Sequence, residues 1–126
     1  SHVLLISGDG AFLSGGLSVE AAFQENVPIT VVIDNNGGLT TISQQQERLF
    51  GHARHVATDF RDIPFHTLFE GLGGHGELVE TAGELEPALR RALDSGKTAC
   101  VNVRTRGVIS PIVLATTSKR DKASIE

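Results

Sequence analysis

Short apolar runs that stop at glycine or asparagine, alternating with helical patterns, constrain this chain most. Residues 3–7 (Val-Leu-Leu-Ile-Ser) end at Gly8-Asp9-Gly10, and residues 29–34 (Ile-Thr-Val-Val-Ile-Asp) end at Asn35-Asn36-Gly37-Gly38. Runs this short and this continuously apolar predict strands buried within a sheet rather than helices. Between them, residues 14–24 predict a helix with Leu17, Ala21 and Ala22 on its inner face and Glu20, Gln24 and Glu25 towards solvent. Strand, helix, strand in this order predicts an α/β layer with a parallel sheet and crossover connections.

The rest of the chain continues the alternation. Gln44-Gln45-Gln46-Glu47-Arg48 predicts a short helix, and residues 52–59 predict a loop. Asp62 is a candidate N-cap with Pro64 in the first helical turn, followed by an apolar stripe of Phe65, Leu68, Phe69 and Leu72 that ends at Gly73-Gly74. Residues 76–80 predict a strand. Thr81 and Glu84 have the spacing of a capping box, ahead of Leu85, Leu89, Ala92 and Leu93, and Gly96 stops that helix. Residues 98–104 predict the last strand. Residues 108–126 read as a tail with an apolar cluster at 109–114 and a charged end at 119–122, for which a lid role is the alternative to a solvated tail.

Composition excludes several classes. The formal charge of −4 offers no basic face for nucleic acid. No apolar run approaches the roughly 20 residues of a membrane span, and no charged-then-apolar leader opens the chain. The single cysteine, Cys100, rules out an internal disulfide and fits a reducing, cytoplasmic compartment. Its place inside an apolar strand predicts a small core residue. The histidines His2, His52, His55, His66 and His75 are expected at the surface, since His52 and His55 have the spacing of a metal pair but no third ligand. The absence of methionine, and a start on a strand that wants neighbours on both sides, predict an excerpt of a longer chain.

Chemistry concentrates at the two strand ends. Ligands of open parallel sheets bind beyond the carboxyl ends of the strands, where glycines admit close backbone approach. Amides near a helix start suit a diphosphate, but the Asp9 carboxylate would repel one unless a cation lay between them. Magnesium, which takes hard oxygen ligands from carboxylates and phosphates, resolves that conflict, and the Asn36 amide oxygen is a second hard donor. Residues 11–34 separate the motifs. That is enough for one helix and one strand, so both motifs fall on one edge of the sheet. The competing dinucleotide fingerprint, Gly-x-Gly-x-x-Gly, fails at Leu13.

The Gly-Asp-Gly and Asn-Asn pair at this separation resembles the signature of thiamine diphosphate (ThDP)-dependent enzymes, in the branch of acetolactate synthases, 2-oxoacid decarboxylases and oxalyl-CoA decarboxylases. The resemblance covers roughly residues 3–104. It implies a three-layer parallel sandwich of the ThDP-binding fold, with residues 1–104 forming the C-terminal two-thirds of a diphosphate-binding domain and residues 105–126 a C-terminal tail. It implies Mg²⁺ ligands at the Asp9 and Asn36 side chains and the Gly38 carbonyl. Gly8 and the amides of Gly10, Ala11 and Phe12 would lie against the diphosphate, with Leu39 and Thr40 on its other side. It further implies a 2-oxoacid substrate, a homo-oligomer, and an activating glutamate on a pyrimidine-binding domain or partner subunit outside these residues. No catalytic residue is therefore expected here. A non-catalytic domain of the same fold and a Rossmann-type nucleotide-binding domain are the alternatives.

Overall fold

A computed structural model describes residues 2–51, 55–111, 114 and 115. The chain forms two compact units, residues 1–36 with 62–105, and residues 37–61 with 106–126. The strands are β1 (Val3–Gly8), β2 (Ile29–Asn35), β3 (His75–Val79) and β4 (Ala99–Arg104). The helices are α1 (Asp9–Gly15), α2 (Glu20–Gln24), α3 (Thr40–Phe50), α4 (Phe65–Gly71) and α5 (Ala82–Asp94).

The first unit is a four-stranded parallel sheet in the order β1-β2-β4-β3. Because successive strand residues point to opposite faces, β2 and β4 feed two cores. Val31, Ile33 and Cys100 pack with Phe12 of α1 and Phe65 and Phe69 of α4. Val101, Ala99 and Val79 pack with Ala88 and Ala92 of α5 on the other face. Helix, sheet and helix are thus three layers, as the resemblance implies. The Phe12 and Phe65 rings meet edge to face with centroids 5.6 Å apart, a favoured aromatic geometry.

Three expectations fail locally. Helix begins at Asp9, not at residue 14, and breaks at Gly15-Gly16 into a 3₁₀ turn (Gly16–Val19) before α2. Gly16 lies so close to the Phe12 ring that a Cβ there would sit 2.3 Å from it. The fold-back aims Phe12 and Val19 inward and leaves Leu17 63% exposed and Ala21 exposed. In α4 the N-cap is Pro64 rather than Asp62; Asp62 pairs instead with Arg104. The helix is a single short stretch, so only Phe65 and Phe69 of the expected stripe are buried, while Leu68 and Leu72 stay exposed. Finally, β1 is not a buried strand. It pairs with β2 alone, and Val3, Leu4, Leu5 and Ile6 are 48–71% exposed.

Other elements agree with the pattern. Glu84 accepts from the Thr81 and Glu80 backbone N–H groups at 3.0 and 2.9 Å and closes the capping box of α5. Gly73 and Gly96 end their helices at positive φ, the conformation glycine tolerates best.

In the second unit the polar glutamine run belongs to α3, which is longer than expected at both ends. Gly38 bridges antiparallel to Asp59, the Phe60 N–H donates to the Gly37 carbonyl, and the Leu39 N–H donates to the Thr58 carbonyl, both at 2.8 Å. Gln44 holds the start of the tail, donating to the Val108 carbonyl at 2.7 Å and accepting from the Ser110 N–H at 3.1 Å. His52, the charged run 119–122 and Ile112 and Val113 of the apolar cluster lie outside the described residues. No described helix is long and apolar enough to cross a membrane.

Candidate functional site

The Gly8-Asp9-Gly10 motif closes β1 and opens α1. Gly8 is the last strand residue, and its backbone is extended. Asp9 is only 2% exposed, and its Oδ1 accepts from the Gly10 N–H at 2.6 Å. A buried carboxylate costs several kcal/mol unless polar groups or a cation compensate it. Gly10, Ala11 and Phe12 are the residues that follow in α1. Gly10 and Phe12 are buried and Ala11 is exposed.

Asn35 and Asn36 close the neighbouring strand. The β1–β2 register pairs Gly8 with Asp34, so Asp9 and Asn36 leave adjacent strands at the same edge of the sheet. The strand expected over residues 29–34 runs one residue further, and Asn35 completes β2. The strand end is pinned from the side: the Thr105 N–H donates to the Asn35 carbonyl at 3.0 Å, and the Thr105 hydroxyl donates to Asp34.

The buried amides beneath this edge went unnoticed in the sequence. Asn35 Nδ2 donates to the Ile63 carbonyl at 3.2 Å and to Asn102 Oδ1 at 3.0 Å, and Asn102 Nδ2 lies 3.2 Å from His66 Nδ1. Asn102 is fully buried. An asparagine amid the apolar residues of β4 was the available signal.

In the second unit, Gly38 has no room for a side chain, since a Cβ would meet the Thr58 carbonyl oxygen at 2.3 Å. Gly37 has φ +83°. Leu39 is the N-cap of α3 and Thr40 its first residue. His55 Nδ1 lies 3.1 Å from Asp59 Oδ2, which gives that histidine a structural partner. His66 and His75 are half-buried rather than at the surface, and His75 bonds Glu77 at 2.7 Å. Glu20 and Glu25 are exposed, as expected. Cys100 is fully buried, and desolvation pushes its thiol up to about 12.

A parallel three-layer α/β domain with a carboxylate and an amide at adjacent strand ends defines the class of ligand-binding sheet domains whose sites lie beyond the strand termini. The family is more specific. The family described as "Thiamine pyrophosphate enzyme, C-terminal TPP binding domain" matches residues 1–103, and the chain belongs to it. A probable acetolactate synthase of Mycobacterium bovis is 40% identical over 105 residues, covering 82% of this chain and 19% of the relative. Oxalyl-CoA decarboxylase of Escherichia coli is 34% identical over 104 residues, covering 82% and 18%. Among solved structures, a ThDP-dependent 4-hydroxybenzoylformate decarboxylase of Rhodococcus jostii superposes with TM-score 0.73 at 28% identity, covering 86% of this chain and 20% of that one. The chain spans about a fifth of the length of these relatives.

The donor chemistry fits the cofactor's metal–diphosphate end. Asp9 offers a carboxylate and Asn36 an amide oxygen, both hard donors of the kind magnesium takes. Among the described residues no three His, Cys, Asp or Glu side chains gather as a metal site.

Proposed function

We propose that this chain holds Mg²⁺ and the diphosphate of ThDP as one part of a larger lyase or carboligase acting on a 2-oxoacid. The observation that carries the proposal is the register that brings Asp9 and Asn36 out of adjacent parallel strands, within a chain of the TPP-binding family. Asp9 and Asn36 are the side-chain ligands. The Gly38 carbonyl, two residues along the chain, is the third protein ligand by resemblance. Gly8 at the end of β1 and Gly10, Ala11 and Phe12 at the start of α1 line the diphosphate, and Leu39 and Thr40 are its further contacts.

ThDP supplies an electron sink for cleavage beside a carbonyl. This chain's contribution is anchoring, and no catalytic residue is assigned to it. The activating glutamate comes from a pyrimidine-binding domain or from a partner subunit in a homo-oligomer. The names of the relatives, which include acetolactate synthases and decarboxylases, support the reaction class. The lone buried thiol of Cys100 supports a reducing, cytoplasmic setting.

The test is ThDP binding to the complete protein with and without Mg²⁺. Asp9→Ala is expected to abolish the magnesium-dependent part. Retained magnesium-dependent binding in that variant refutes the assignment.

A further inference from the structure

The Ile63 carbonyl starts a chain of hydrogen bonds whose polarity can be read in one direction only. A carbonyl oxygen can only accept, so the Asn35 amide must turn its NH₂ towards Ile63, 3.2 Å away. The same nitrogen lies 3.0 Å from Asn102, so Asn102 must present its oxygen there. Reversing Asn102 would set two NH₂ groups against each other. Reversing Asn35 as well would set its oxygen against the Ile63 oxygen. The Asn102 NH₂ therefore points at His66 Nδ1, 3.2 Å away. That ring nitrogen must accept, which makes His66 the neutral tautomer protonated at Nε2.

Each member is held in place. Asn102 is fully buried, and it sits in β4, paired with β2 through Ile33↔Asn102. His66 is in the first turn of α4, whose backbone rides close on β3: a Cβ on Gly76 would lie 2.5 Å from the His66 carbonyl oxygen. Among the described residues no buried side-chain nitrogen or oxygen lacks a hydrogen-bond partner. A polar chain in an apolar layer is costly if any link is lost, so it holds one arrangement. Its first amide is Asn35, the residue before Asn36.

We infer that Asn102 and His66 are positioning residues that set the strand end carrying Asn36. The inference rests on the proposed metal–diphosphate role of that strand end. Loss of the His66 acceptor strands the Asn102 NH₂, which turns, releases Asn35 and loosens the backbone that aims Asn36.

The experiment measures the Mg²⁺ concentration that half-saturates ThDP binding in the complete protein, for wild type, Asp9→Ala, His66→Leu, His66→Gln and Asn102→Leu. Groups bonded directly to a metal ligand cost 10–100-fold in affinity when removed, so Asn102→Leu and His66→Leu, one and two hydrogen bonds out from Asn35, should raise the requirement about three- to tenfold. Gln offers an oxygen to the Asn102 NH₂, so His66→Gln should stay within about twofold of wild type. Equal impairment by His66→Leu and His66→Gln overturns the relay. So does an unchanged magnesium requirement in His66→Leu and Asn102→Leu, even with lower melting temperatures, provided that Asp9→Ala loses binding. Retained magnesium-dependent binding in Asp9→Ala overturns the underlying site reading instead. Imidazole ¹⁵N shifts of wild-type His66 test the polarity without any variant: the Nε2–H tautomer is expected, and the Nδ1–H tautomer contradicts it.

Discussion

Arg91 on α5 grips Glu77 on the edge strand β3 with two parallel hydrogen bonds, Nε to Oε1 at 2.9 Å and Nη2 to Oε2 at 2.8 Å. The Glu77 side chain is 12% exposed, and His75 adds a contact at 2.7 Å. Arg91 first, and His75 second among the favourable partners, hold the Glu77 carboxyl below its usual 4.5 against the opposing effect of burial. A carboxyl depressed in the folded state stabilises above its unfolded value, and that contribution is lost as pH falls through the folded one. The melting-temperature gap between wild type and Glu77→Gln should therefore be full at neutral pH and shrink below 4.5. A gap that is flat or widens on acidification contradicts the pairing.

Gly38→Ala should disturb the short antiparallel contact of the second unit. The new Cβ would lie 2.3 Å from the Thr58 carbonyl oxygen and 3.2 Å from Asp59 Cα, and overpacking of this kind costs about 1–3 kcal/mol. Hydrogen exchange at the Leu39 and Phe60 amides, which bond Thr58 and Gly37, reports it directly. Faster exchange at both is expected, and unchanged protection refutes the clash.

Cys100 should be chemically silent in the folded protein. The thiolate is the reactive form, and burial pushes this thiol up to about 12. Iodoacetamide at mildly alkaline pH should label it only after denaturation. Rapid labelling of native protein contradicts the packing of β4 against the aromatic cluster.

The 126-residue chain on its own should associate. Val3, Leu4, Leu5 and Ile6 expose apolar side chains on an edge strand, the arrangement that invites edge pairing. Light scattering and dye binding should rise with concentration, and Ile6→Lys should reduce both. A monodisperse, dye-negative chain contradicts that exposure.

The apolar runs made the strands legible, because continuous Val and Ile stretches ended by Gly or Asn have few other uses. The capping box at Thr81 and Glu84 was equally legible, since two residues fix it locally. Long-range facts were not. Nothing local says that Gly16 closes on Phe12, that β1 pairs on one side only, or that Asp62 faces Arg104 rather than capping α4. That Asp9 and Asn36 leave adjacent strands at one edge of the sheet was legible, because the gap between them holds one helix and one strand. The amide relay behind it joins residues 28 and 67 positions from Asn35, and its logic exists only once β2 and β4 lie side by side.

The most direct test replaces Mg²⁺ with Mn²⁺ and follows the metal by electron paramagnetic resonance in the complete protein. ThDP should recruit one tightly held Mn²⁺ per site in wild type, lose it in Asp9→Ala, and hold it more weakly in Asn36→Ala. Equal ThDP-dependent Mn²⁺ binding in all three proteins would contradict the placement of the metal–diphosphate site on these two strand ends.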